Sequence, residues 1–254
     1  QPLKLRWKEN FLSIYGDHLP GNEIQIHYLE AYCRDKSSDA DWLTHTKLSH
    51  QTKRLNTSDD GTTIKLKCIV EDGLEVSHEI HSTSDEVDFR IHAHNPTNLR
   101  SEVHWAQPCI RLDKFTGGDQ NTYLEKCFIF LDGELCRLPT HSWATDARYI
   151  PGQVWCPTHV DRSDVNPRPL SELVPSNGLI GCFSEDESMI FAVAFEPYQE
   201  LFQGVITCLH SDFRLGGLLP DESKQIRGKI YIVPNDIPAL LERYARDFPE
   251  YISN

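Results

Sequence analysis

Long apolar runs are missing from this chain. A membrane-spanning helix needs about 18–20 consecutive apolar residues, and no stretch approaches that, so no membrane partner is expected. Clustered positive charge is missing as well. Lys and Arg number 25 against 38 Asp and Glu, the net charge is −13, and no basic run exceeds two residues. Neutralising a phosphate backbone takes clustered Lys and Arg, so nucleic acid is not an expected partner. No two cysteines stand at C-x-x-C spacing, which removes the usual signature of a zinc knuckle. Internal repeats and low-complexity tracts are absent. No secretory leader is found in these residues. The chain starts at Gln1 rather than Met, which fits leader removal or trimming, so a cytoplasmic and an exported location both stay open.

Eight cysteines are present, most of them inside apolar runs: Cys68 in IKLKCIV, Cys127 in KCFIF, Cys182 in IGCF, Cys208 in VITCL. Such cysteines read as small buried hydrophobes in a reducing compartment. Disulfides in an exported protein are the alternative.

The 254 residues are enough to bury a sizeable core in one large domain, 1–254. Alternation of apolar and polar side chains marks strands with one buried face. It predicts strands at Leu3–Trp7, Asn10–Tyr15, Glu23–Cys33, Thr62–Val70, Leu74–Ser82 and from Glu86. Further strands are predicted at Val103–Leu112, Tyr123–Leu131, Glu134–Leu138, Gly178–Phe183, Met189–Phe195, Gly204–Leu209 and Gln225–Val233. In Glu23–Cys33, Ile24, Ile26 and Tyr28 share one face, with Gln25, His27 and Leu29 on the other. Leu74, Val76, His78 and Ile80 share a face in a later strand. Asp72-Gly73 suits a hairpin turn. Residues 139–175 break the pattern and read as a functional loop laid over the sheet. One helix is predicted at the C-terminus, capped by Asn235 or Asp236, with Pro238 in its first turn and a stripe of Ile237, Leu240, Leu241, Tyr244 and Phe248. About fourteen strands and one helix make an all-β fold, a large antiparallel β-sandwich with one C-terminal helix.

The stretch from Glu86 to Gly117 concentrates the chemistry. Val87, Phe89, Ile91 and Ala93 point one way. The two strands around the Asn95-Pro96-Thr97-Asn98 turn carry Asp88, Arg90, His92, His94, His104, Gln107 and Arg111 on their non-core faces. Pro108 makes a bulge plausible there. His104 is the first candidate for proton transfer. His210, with Asp212 to orient it, is the second, at a strand end or surface turn. Tyr149 can join them. Arg111 and Arg148, with Arg90, can clamp a carboxylate or sulfate, because guanidinium offers paired donors. Trp105, Trp143, Tyr149 and Trp155 offer flat surfaces for a sugar ring, and Gln107 and His159 can bind its hydroxyls. A competing reading draws three nitrogen ligands of a divalent metal from among His92, His94, His104, His159 and His210.

Asn95-Pro96-Thr97-Asn98 followed by His104 is similar to the T-N…H-x-x-F region of galactose mutarotase-like proteins. Gly216-Gly217-Leu218-Leu219-Pro220-Asp221-Glu222-Ser223 resembles their late G-x-L-x-P-G-E-S turn. The usual His-Pro-Tyr-Phe reads here His104-Trp105-Ala106-Gln107-Pro108, and Glu196 before Pro197 is the candidate for their late catalytic glutamate. The resemblance implies a supersandwich fold and sugar ligands. No cofactor is expected, a divalent metal being the alternative. The expected function is a carbohydrate-active enzyme using acid/base proton transfer on a sugar or uronic-acid saccharide, by epimerisation or elimination, with His104 and His210 as the pair. A non-catalytic carbohydrate-binding module and a histidine-ligated metalloenzyme are the alternatives.

Overall fold

In a computed structural model, residues 1–36, 41–143, 153–165, 169–204 and 206–252 are described. Seventeen strands among them form two antiparallel sheets. The first strands are β1 (Lys4–Lys8), β2 (Phe11–Tyr15), β3 (Glu23–Cys33), β4 (Lys47–Leu48) and β5 (His50–Thr57). There follow β6 (Thr63–Val70), β7 (Glu75–Ser82), β8 (Glu86–His94), β9 (Trp105–Arg111), β10 (Cys127–Leu131), β11 (Glu134–Arg137) and β12 (Gln153–Trp155). The last are β13 (Ile180–Phe183), β14 (Met189–Glu196), β15 (Tyr198–Gln203), β16 (Cys208–Arg214) and β17 (Ser223–Pro234). One sheet runs β1-β2-β3-β9-β16-β15-β12, with β4 beside β3. The other runs β11-β10-β13-β14-β17-β8-β7-β6-β5.

The alternation read from the sequence builds the core between these sheets. Ile24, Ile26, Ile64, Leu66, Val76, Ile80, Phe89, Ile91, Ala106 and Ile110 all join one buried cluster. His78 lies on that face as predicted. Its ring nitrogens meet Tyr28 Oη at 2.9 Å and Tyr32 Oη at 3.1 Å, and burial pulls its pKa down to about 3. The core therefore holds a neutral, hydrogen-bonded imidazole, which is how a buried polar ring is tolerated.

The C-terminal helix is α2 (Ile237–Asp247), after a four-residue helical turn α1 (Asp113–Thr116) that the sequence reading did not include. Asp236 caps α2 by accepting from Ala239 N at 3.0 Å, which satisfies one of the free amide donors at a helix start. Leu240, Tyr244 and Phe248 pack against Phe128, Ala192 and Tyr231, on the outside of the nine-stranded sheet.

Four expectations need correction. β8 and β9 belong to different sheets, so the polar faces either side of Asn95–Asn98 point to opposite sides of the sandwich. The third late strand does not stop near His210: it runs from Cys208 to Arg214. Strands β5 and β15 are missing from the predicted set, and β12 lies inside the supposed loop. Finally, the bulge falls opposite Pro108 rather than on it. His27 pairs Cys109 and Ala31 pairs Gln107, so Tyr28, Leu29 and Glu30 stand against Pro108 alone. Pro108 has no N–H to give the ladder, and the partner strand arches there. Leu29 thereby enters the core beside Tyr28, contrary to simple alternation.

Candidate functional site

The two segments that carried the family resemblance meet in space. Asn95 Nδ2 donates to the carbonyls of Leu218 at 2.9 Å and Leu219 at 3.2 Å, and Asn95 N donates to Glu222 O at 3.0 Å. Arg100 Nε donates to Gly217 O at 2.8 Å, and Lys224 Nζ to Leu215 O at 3.2 Å. Gly217, at φ +67°, lies so close to His104 that a Cβ there would stand 2.6 Å from its Nε2. Only glycine accepts both that angle and that approach.

His104 is thus held at this corner, just before β9. Its Nδ1 lies 3.2 Å from Asp164 Oδ2. Asp161 creates the turn that presents Asp164, because its carboxylate accepts from Ser163 N at 2.9 Å. Asp164 is buried and multiply held: Arg214 Nη1 donates to Oδ2 at 2.9 Å and Lys36 N to Oδ1 at 3.1 Å. Gln199 donates to Asp164 O and accepts from Arg214. A carboxylate fixed in this way orients an imidazole and favours one tautomer.

The corner is basic within an acidic protein. Burial lowers the pKa of Lys224, and Arg214 lowers it further. Burial likewise lowers that of His159, with Arg214 and Lys224 adding to the effect. Beside them, a cavity of about 190 Å³ is lined by His159, Glu196, Tyr198, Tyr244 and Tyr251, among others. Glu196 accepts from Tyr244 Oη at 2.5 Å, and burial pushes its pKa up to about 7 against the pull of Tyr244, the Tyr198 amide and Arg227. Glu196 ends β14, in the nine-stranded sheet, and is tied to α2 rather than to His104.

A second polar array covers the outer face of the eight-stranded sheet. Its rows follow the register. Gln25, Arg111 and Cys208 form one row. His27 pairs Cys109, and His210 pairs Phe202. In the next row Glu200 pairs Asp212, while Gln107 donates to Glu30 Oε2 at 2.7 Å. Trp105, between Cys33 and Arg214, ends the array. His210 and Asp212 are fully buried mid-strand, with Nδ1 and Oδ1 3.5 Å apart. Burial opposes charge on His210, yet Cys208 and Asp212 outweigh it and raise its pKa. Contact with Cys109 lowers that of Cys208 against burial, and His210 lowers it further. A cavity of about 510 Å³ opens beside the first row, lined by Phe11, Glu23, Gln25, Arg111, Lys114 and Thr207 among others.

The predicted residues therefore divide. His104 and His159 sit at the basic corner. Arg111, Gln107, His210 and Asp212 lie on the outer face. His104 precedes Cys109 by five positions, and at about 3.3 Å per residue that separates it from the His210 row by about 16 Å. One sugar carbon is not within reach of both, so the structure does not join them as a pair. His210 is neither a surface turn nor a strand end. Trp105 is fully buried against Ala31, Cys33 and Trp42 and offers no platform. Trp155 is also fully buried, 6.1 Å from the Trp143 ring. Tyr149 and Arg148 lie outside the described residues. His92 and His94 belong to the nine-stranded sheet, and among the described residues no three of the candidate histidines come together. All eight cysteines are free thiols and all but Cys136 are buried. Asp164, Arg214 and Lys224 were not singled out from the sequence. Asp161-x-Ser163, a capping pattern, was the one local signal near them.

No family model matches this sequence, and no curated protein matches it. Solved structures do. The Slr1438 protein of Synechocystis sp. PCC 6803 is 10% identical with a TM-score of 0.51, over 92% of this chain and 96% of its own. A galactose mutarotase-like protein from Clostridium acetobutylicum has a TM-score of 0.44 at 9% identity, over 91% of this chain and 98% of its own. Galactose 1-epimerase from Lactobacillus acidophilus NCFM has a TM-score of 0.36 at 7% identity, over 93% and 99%. The likeness to the Slr1438 protein is one of fold, an all-β antiparallel sandwich of two large sheets.

Proposed function

We propose that this protein is a carbohydrate-active enzyme that moves a proton on an anionic sugar, with His104 as the group that takes or gives it. The observation that carries this reading is the His104–Asp164 contact of 3.2 Å within a basic corner. An imidazole oriented by a fixed carboxylate suits general acid/base work near neutral pH. Arg214 and Lys224 supply positive charge for a sugar carboxylate, and His159 adds a ring donor at the rim. That the two sugar-family-like segments converge on His104 supports the same reading.

Two reactions use this arrangement. In epimerisation a base removes the O1 proton, the ring oxygen gains one, the C1–O5 bond opens, and C1 recloses on its other face. In elimination a base removes the C5 proton of a uronic acid, made acidic by its neutralised carboxylate, the electron pair left at C5 forms the C4=C5 double bond, the C4–O4 bond breaks, and the departing O4 takes a proton. Exchange NMR on free hexoses and hexuronates reports the first, and the ultraviolet absorbance of unsaturated products from uronate oligosaccharides reports the second. His104→Asn is expected to lower the responding rate by about 10²–10⁴-fold, with Asp164→Asn intermediate. Undiminished turnover by the His104 variant on every responsive sugar, or response to neutral sugars alone, contradicts the proposal.

A further inference from the structure

We propose that the outer face of the eight-stranded sheet binds a transition-metal ion through Cys109, Cys208 and His210, with Asp212 orienting the histidine. This site is separate from the His104 corner and stands or falls independently of it.

Topology brings the ligands together. Cys208 and His210 are two apart on β16, so both face outward, and β9 presents Cys109 alongside them. Their ligand atoms all lie within 4.8 Å of one another. Cys208 Sγ and His210 Nε2 are 3.3 Å apart. Bond lengths of about 2.3 Å to sulfur and 2.0 Å to nitrogen put tetrahedral ligand atoms roughly 3.5–3.8 Å from each other. The observed set needs only a small adjustment to meet that shape.

The surroundings fit the same use. His210 turns Nε2 toward the thiols and Nδ1 toward Asp212, 3.5 Å from Oδ1. Ligating histidines regularly show a carboxylate to their second nitrogen, which fixes the tautomer and ring plane. Asp212 is completely buried with His210 and Glu200 as its polar neighbours, and His210 Nδ1 stands 3.5 Å from its Oδ1, longer than a good hydrogen bond. Leaving such groups in the interior without compensation is costly. A metal-bound His210, its Nδ1 proton directed at Asp212, supplies the compensation. Cys127 and Cys182 also pair across strands, but they lie in the apolar core and no third ligand joins them among the described residues.

Two thiolates and an imidazole are a soft, borderline set that favours zinc over magnesium or calcium. Three protein ligands leave a fourth position for water or a ligand. Arg111, across from Cys208, and Thr207, just before it, both line the 510 Å³ cavity, which therefore lies next to the buried ligands.

Cobalt(II) titration of the reduced, metal-free full chain tests this. One equivalent is expected to produce a thiolate-to-cobalt charge-transfer band and tetrahedral visible bands, both removed by competing zinc. Cys109→Ser and Cys208→Ser are each expected to lose the charge-transfer intensity of one thiolate and to weaken binding at least tenfold. Asp212→Asn should weaken it about 10–100-fold while leaving the band positions in place. Cys136→Ser and the core variant Cys182→Ser should bind as the parent does, with far-ultraviolet circular dichroism confirming that each variant folds. The proposal is overturned by reduced protein that gives no thiolate band, by a band that survives loss of both Cys109 and Cys208, or by a Cys109–Cys208 disulfide whose reduction restores no metal binding.

Discussion

Glu196 illustrates what burial does to one carboxyl. Its pKa rises from 4.5 to about 7, so the folded chain keeps a proton that the unfolded chain has released. A raised carboxyl costs stability as pH climbs from about 4.5 to about 7, and the cost is level above that. At 1.36 kcal/mol per unit the full effect is about 3 kcal/mol. Glu196→Gln keeps an acceptor for Tyr244 and removes the titration. Denaturant unfolding at pH 5 and pH 8 should show the variant gaining up to about 3 kcal/mol on the parent between the two; an equal difference at both pH values contradicts the assignment. The same scale shows what the sequence can say of single residues. His104 was legible because a turn motif leads to it. Asp164 was not, since its partnership with His104 spans 60 positions and depends on how residues 161–165 fold back.

At the scale of elements, period-two alternation located most strands and Asp236 with Pro238 marked the helix start. Its failures have physical causes. Strand β15 reads YQELFQ: Gln199 and Glu200 are buried on the covered outer side, whereas Gln203 donates to Tyr123 on the core side, so polar residues fall on both faces and no alternation appears. In β16 Asp212 and Arg214 lie on that outer side as well, while Ser211 turns inward and accepts from Phe195 N. Both errors hid the outer array. The turn at Gly216-Gly217 tests how one element serves the site. Gly217→Ala puts a methyl group against His104 in a left-handed backbone, at a cost of about 1–2 kcal/mol, and pushes the ring from Asp164. Activity should fall about a hundredfold, the scale of a 1 Å misplacement. Gly133→Ala, at φ +80° with nothing within 4 Å, is the control: stability falls comparably and activity stays. Equal activities in the two variants would detach Gly217 from catalysis.

Across the whole molecule, the sandwich decides which polar residues can cooperate. Composition and strand count were enough for the fold class, but which strand joins which sheet is a long-range property. Between β8 and β9 the chain crosses from one sheet to the other, and that single crossing separates His92 and His94 from His104. It also sends Cys109 to meet Cys208 and His210, a set no local spacing announces. The net charge of −13 hides a basic corner for a similar reason: Arg214 and Lys224, on successive strands, meet His159 from a distant segment. The central claim is that an anionic sugar binds at this corner. Amide chemical-shift mapping of the full chain with saturating hexuronate tests it most directly. The account predicts perturbations centred on His104, Arg214, Gly216, Gly217 and Lys224, weakened by added salt. Perturbations confined to the outer face of the nine-stranded sheet around His92, or to the Arg111 and Lys114 cavity, would contradict it.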